Sequence, residues 1–291
     1  MDKPVTISEL LVGANQLFSL PDIYFQLNEM LRDPRFSAAD FGKVIAKDPA
    51  LSARLLRMVN SPFYEFQSKI DTISRAITVV GFDELYNLII ATCVVDQFDK
   101  IPCELVDMTS FWVHSVHCAV VARLLAKQSS ILQSERLFLI GLLHDIGSLV
   151  LYRKMPDKSR EVLLAADNDR RLLADFEKEI IGFTHAEVSS QLIKSWDLPE
   201  SLYEPIAWYL NPDFAMSHQL ETNLLHIATQ LVNNTERGVP VEQAVNEIAE
   251  SVLSTVNLTQ EQLIAVMQLA SSEFLEVFDL VSPSKTVVVQ C

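Results

Sequence analysis

A histidine and an aspartate, His144 and Asp145, stand side by side near the middle of the apolar run 137–152 (LFLIGLLHDIGSLVLY). A buried carboxylate without a partner costs several kcal/mol, so it must find a cation, a metal or a proton. Two further histidines have apolar neighbours: His114, about thirty residues before the pair, and His185 after it. Neutral imidazole nitrogens and an ionised carboxylate oxygen suit Zn, Mn or Fe. Adjacent helical residues point about 100° apart, yet both reach one ion that lies over a helix end. Gly147, just after the pair, admits a neighbouring backbone or a substrate. The same residues also allow a metal-free reading, a hydrogen-bonded core pair with His114 as third partner and one imidazole held charged by the carboxylate. His117 and Cys118 read as ordinary helix-face residues, and His218 and His226 match no pattern.

The elements that must position these groups are helices. Apolar residues recur at spacings of three and four, and strand-like alternation is scarce. The spacing predicts helices over 7–20, 22–33, 37–48, 49–61 and 72–98, the last hinged at Gly81. Beyond a junction at 99–102 it predicts helices over 109–128, 134–154, 157–169, 172–182, 184–197, 200–210, 217–236, 240–256 and 259–281. Ser37 with Asp40 makes a capping-box-like start, Pro49 suits a first helical turn, Pro62 helps end that helix, and Thr184 caps another. The expected fold is all-α: an N-terminal helical lobe (1–100), a second helical lobe (101–212), a C-terminal helical extension (213–281) and a mobile tail (282–291).

Composition narrows the classes. The 291 residues are 49% hydrophobic with only 7 Gly, which suits a packed helical protein. The 23 basic and 38 acidic residues leave a net charge of −15, which disfavours broad nucleic-acid binding. From Glu200 onward 12 acidic residues meet only Arg237 and Lys285, an acidic surface that suits a basic protein partner. Residues 74–90 have helix–turn–helix punctuation, but their second helix carries no Lys or Arg, so packing is the better reading. The aromatic run 61–66 (SPFYEF) reads either as a partner anchor or as a loop packing its own rings. The four cysteines (Cys93, Cys103, Cys118 and Cys291) show no disulfide-framework spacing. The N-terminus lacks signal-peptide character, and the longest apolar run, Leu88–Val95, falls far short of the roughly 20 residues needed to span a bilayer. These features predict a soluble, cytoplasmic protein with reduced thiols and no membrane partner.

Several stretches together resemble the HDOD family, the HD-related output domains of bacterial signalling proteins. HDOD is a branch of the HD metal-dependent phosphohydrolase superfamily. The stretches are 20–31 (LPDIYFQLNEML), 48–64 (DPALSARLLRMVNSPFY), 70–85 (IDTISRAITVVGFDEL), 111–115 (FWVHS), 141–147 (GLLHDIG) and 182–199 (GFTHAEVSSQLIKSWDLP). The resemblance spans roughly residues 15–212. It implies His114 as the first metal histidine, His144 and Asp145 as the pair, and His185 as an accessory histidine. Two places depart from it: Tyr209 and Leu210 stand where a paired histidine is expected, and Thr229 where the final aspartate is expected. An anionic ligand lost from a buried site weakens its hold on a divalent ion and on the attacking water. The resemblance therefore implies a vestigial metal site, no cofactor beyond a possible residual divalent ion, and no catalytic residue. It implies a non-enzymatic signalling module that binds a protein partner or small ligand, with a homo-oligomer possible. The alternative is a metal-dependent phosphohydrolase acting on a nucleotide or cyclic dinucleotide, with Thr229 or a carboxylate such as Glu187 completing the site. Arg123, Lys127, Arg136, Arg153 and Lys154 are the basic residues nearest these motifs.

Overall fold

The computed structural model describes residues 5–12, 18–33, 35–61, 64, 66, 68–101, 103–129, 131, 134–167 and 169–281. Pro62, Phe63 and Glu65 of the aromatic run, Cys291 and the tail 282–291 lie outside the described residues. Every regular element among them is helical. In chain order these are α1 (Ile7–Val12), α2 (Asp22–Leu31), α3 (Ala38–Ile45), α4 (Pro49–Val59), α5 (Ile73–Val80) and α6 (Phe82–Phe98). There follow α7 (Met108–Gln128), α8 (Ser134–Leu143), α9 (Ile146–Lys154), α10 (Pro156–Ala165), α11 (Arg170–Ile180) and α12 (His185–Ser195). Then come α13 (Glu200–Trp208), a 3-10 turn at Pro212–Phe214, α14 (Gln219–Glu236), α15 (Val241–Asn246), α16 (Glu250–Val256) and α17 (Gln260–Val281). Among the described residues no helix is long and apolar enough to cross a membrane.

The predicted starts have local causes. Ser37 and Asp40 close a full capping box on α3, and Thr184 and Glu187 close another on α12. Asp48 caps α4 by accepting from Leu51 N at 3.0 Å, with Pro49 in the first turn. Gly81, at φ 98°, makes the left-handed joint between α5 and α6.

Three predicted helices are interrupted. The one over 7–20 is helical as α1, and its residues 13–17 lie outside the described ones. Phe18 is non-helical, and its carbonyl accepts the Trp196 indole N–H at 2.9 Å. The helix over 134–154 breaks into α8 and α9 at the His144–Asp145 pair. The break is stabilised by one hydroxyl, because Ser189 Oγ accepts from Gly147 N at 2.7 Å and donates to the His144 carbonyl at 2.8 Å. The helix over 240–256 divides into α15 and α16 where the Glu247 carboxylate takes the Asn234 amide at 2.9 Å and Ala249 turns extended.

The described residues fall into two compact units, one within 1–19 and 103–272 and the other within 20–102 and 273–291. In the second, Arg54 is buried and pairs with Asp96 at 2.7 Å, and the rings of Tyr24, Phe82 and Tyr86 stack. Tyr64 and Phe66 stack on each other at 5.9 Å. In the first unit α7 is the central helix, buried along most of its length against α8 and α14. The α7–α8 contact is backbone on backbone. A Cβ at Gly141 would lie 2.6 Å from Ala119 Cα and 2.9 Å from the Cys118 carbonyl oxygen. A Cβ at Gly147 would run into the His185 carbonyl and Ser189 N, so α9 starts directly against α12.

Candidate functional site

The two glycine contacts bring His114 of α7, the α8–α9 break and the start of α12 around one cavity of about 290 Å³, with Cys118 one helical turn behind His114. His114, His144, Asp145, Arg170, His185, Tyr209, His226, Thr229 and Asn233 are among its lining residues.

His114 and His144 face each other with ring centroids 5.5 Å apart, and both are buried. Their hydrogen bonds fix both tautomers. The His114 Nδ1–H donates to Glu236 Oε2 at 2.9 Å, and the His144 Nδ1–H donates to the Gly141 carbonyl at 2.7 Å. The His114 Nε2 lone pair then accepts from the Cys118 thiol at 3.6 Å, and the His144 Nε2 lone pair is left as an acceptor. Burial, reinforced by Arg170, holds the His114 pKa well below its ordinary value, and burial lowers His144 to about 4. Both rings are neutral at pH 7, so His114 meets Glu236 as a neutral donor to a carboxylate.

Asp145 turns to a different partner. Its Oδ2 accepts from the Arg170 guanidinium at 2.7 Å, and its Oδ1 accepts from the Ser148 hydroxyl. Burial would raise its pKa, but the charges of His185 and Arg170 hold it well below the usual carboxylate range. His185 has no free nitrogen. Its Nδ1–H donates to Glu177 Oε2 at 2.7 Å, and Nε2 bonds the Tyr209 hydroxyl at 2.7 Å. Burial opposes charge on this ring, but the Glu177 carboxylate outweighs it and lifts the pKa to about 9. His185 is thus an imidazolium in a buried ion pair, which cannot ligate a metal. Tyr209, in the place of an expected histidine, caps it. The Thr229 hydroxyl donates to the His226 carbonyl at 3.0 Å. Glu187 is engaged in its capping box and by Lys178 at 3.1 Å.

The structure therefore gathers His114, His144, Asp145, His185 and Thr229 at one cavity but does not aim them at one point. Among the described residues, the group of three whose metal-binding atoms all lie within 4.8 Å of one another is His114, Cys118 and His144. The hard-ion set implied by the resemblance does not fit, because its carboxylate is held by an arginine, its accessory histidine is protonated and its last anion is a hydroxyl.

Sequence reasoning missed Arg170, which lies between two predicted helices, Glu177, which reaches His185 from the helix before it, and Glu236, which reaches His114 from far along the chain. Cys118 did leave a trace: four residues after His114, it shares that histidine's helix face. Of the basic residues singled out by proximity, Arg123 is buried on Glu135 at 3.2 Å and Arg136 pairs with Glu221 at 2.8 Å. Neither lines the cavity.

An all-α architecture with a histidine–aspartate pair at a helix break marks the class as HD-like. Residues 17–212 match the HDOD domain, more than half of the chain, and the protein belongs to that family. It is similar to an uncharacterized protein of Treponema pallidum, 26% identical over 254 residues. That match covers 84% of this chain and 46% of the relative, so this chain spans about half the relative's length. Among solved structures, an HDOD domain protein of unknown function from Geobacter sulfurreducens aligns with a TM-score of 0.75 at 22% identity, covering 94% of this chain and 96% of that one. A candidate phosphohydrolase from Shewanella amazonensis aligns with a TM-score of 0.74 at 24% identity, covering 94% of this chain and 98% of that one. At these identities the two structures establish a shared fold.

Proposed function

We propose that this protein is a non-enzymatic regulatory module of the HDOD type, working in the cytoplasm by binding a protein partner or a small ligand. The observation that carries this reading is the Arg170 guanidinium on Asp145. A metal-dependent phosphohydrolase needs that carboxylate to hold its ion and orient the attacking water. Here a permanent organic cation satisfies it, and Thr229 offers only a hydroxyl already bonded to a carbonyl. The cavity itself suits recognition. Asn233 Oδ1 is buried without a hydrogen-bond partner, an acceptor available to a ligand N–H or O–H. The second reading, hydrolysis of a nucleotide or cyclic dinucleotide, draws support from the fold shared with the Shewanella protein.

One assay separates the two readings. Protein purified without chelator is tested for hydrolysis of a generic phosphodiester with added Mn²⁺. The expected result is no turnover above the uncatalysed rate. Turnover that disappears in Asp145→Ala would establish the hydrolase and end the regulatory reading.

A further inference from the structure

We infer that His114, Cys118 and His144 form a site for a borderline-soft d¹⁰ ion of the zinc class, bound by two imidazole nitrogens and one thiolate. Asp145 takes no part in it. Three independent features of the structure converge on this ligand set.

The first is distance. On one tetrahedral zinc, with Zn–S near 2.3 Å and Zn–N about 2.0–2.1 Å, sulfur and nitrogen stand about 3.5 Å apart. Cys118 Sγ and His114 Nε2 are 3.6 Å apart. The third donor, on His144, lies within 4.8 Å of both, so closing the triangle needs small side-chain movements.

The second is tautomer. A histidine ligand usually donates its other ring N–H to a carboxylate or backbone carbonyl, which orients the ring and raises its basicity. Both arrangements are present: Glu236 on His114 and the Gly141 carbonyl on His144. Each leaves Nε2 as the ligating atom.

The third is charge. A divalent ion in so buried a place needs about two negative charges nearby. Asp145 supplies none in excess, because Arg170 balances it. The Cys118 thiolate and the Glu236 carboxylate supply both. Binding breaks the S–H bond, forms the metal–sulfur bond and releases one proton to solvent. His114 and His144 also line the cavity, so water entering it supplies the fourth ligand. Thiolate and imidazole donors favour Zn²⁺ and Co²⁺ over Mg²⁺ and Mn²⁺.

Co²⁺ is the probe, titrated into the reduced chain of 291 residues. The expected result is one equivalent bound, with a near-ultraviolet thiolate-to-cobalt charge-transfer band. Zn²⁺ displaces it and excess Mn²⁺ does not. Cys118→Ser abolishes the band and weakens Co²⁺ by more than about 100-fold, since even a residue bonded to a ligand is worth 10–100-fold. Glu236→Gln weakens it about 10–100-fold with the band intact. Cys103→Ser leaves band and affinity unchanged. X-ray absorption on the wild-type zinc form, which needs no variant to fold, shows one sulfur near 2.3 Å among nitrogen and oxygen neighbours. Bound cobalt without the band, a band that survives Cys118→Ser, or a zinc shell without sulfur would each overturn the assignment. An ion bound through Cys118 without turnover satisfies both this inference and the proposed function. Asp145-dependent turnover would remove only the latter.

Discussion

Removing the positive end of the Asp145–Arg170 pair is expected to cost more than removing the negative end. The Asp145 side chain is 4% exposed and that of Arg170 is 28% exposed. Arg170→Met leaves a buried carboxylate with only the Ser148 hydroxyl and the more distant charge of His185. Losing one partner of a buried ion pair costs about 3–5 kcal/mol. Asp145→Asn instead leaves a guanidinium that can hydrate through its exposed part, and its amide oxygen still accepts from Ser148. Its cost is closer to one charge-assisted hydrogen bond, about 1.5–3 kcal/mol. The double variant should recover about 1–2 kcal/mol relative to Arg170→Met alone, within the coupling expected of residues in contact. At about 2–4 °C per kcal/mol for a unit of this size, Arg170→Met lowers Tm by roughly 6–20 °C. Urea unfolding of all four proteins, followed by circular dichroism at pH 7 in chelated buffer, measures the cycle. The pH dependence gives an independent sign. The Asp145 pKa is depressed in the folded protein, so its stabilisation is fully present above the ordinary value of 3.8 and fades as pH falls through the folded one. In Arg170→Met the penalty should shrink toward acid, where a protonated Asp145 no longer needs its cation. An Arg170→Met protein no less stable than Asp145→Asn, or a double variant no better than Arg170→Met, would refute this account.

Other outcomes follow from the same structure. The His185 pKa is raised from 6.5 to about 9, so its stabilisation is complete below 6.5 and is lost as pH rises through 9. Its size is on the order of 3 kcal/mol. Glu177→Gln should flatten that alkaline limb and drop the imidazole titration seen by NMR. Gly141→Ala drives a methyl into the Ala119 backbone and should cost about 1–3 kcal/mol in urea unfolding. Thr184→Ala removes the α12 cap beside His185 and should cost about 0.5–2 kcal/mol by the same measurement.

How far the site was legible follows from how each residue announces itself. Helix caps are local, so Ser37, Thr184 and Pro49 were readable from two or three neighbours, and the helical class followed from spacing alone. The break at His144–Asp145 was hidden because the run 137–152 stays apolar on both sides of the pair, and Gly147 alone does not end a helix. It is made by a hydroxyl, Ser189, more than forty residues away. Arg170 was hidden for the same reason, since a charge in a stretch between two helices carries no sign of what it will meet. Cys118 was visible at four residues from His114 but carried no weight beside the stronger resemblance of His144 and Asp145. Residue types at family positions reveal what a site descends from, whereas its present chemistry depends on partners brought in by the fold.

Those partners divide the buried charges in a way that bears on function. Asp145 pairs with Arg170 and His185 with Glu177, each pair adding to the other's field, and His114 and His144 of the same cavity are both neutral. A hydrolytic ion of the Mg²⁺ or Mn²⁺ kind is drawn by unspent carboxylate, and each of these carboxylates is already matched by a cation. A thiol differs, because its charge is created when the metal arrives and its proton leaves. Cys118 can therefore oppose a cation without having carried an unpaired anion in the metal-free protein, where burial keeps it protonated. The arginine that removes Asp145 from metal binding and the cysteine that can join it are thus parts of one electrostatic arrangement. Together they disfavour hard-ion hydrolysis and leave open occupancy by a softer ion.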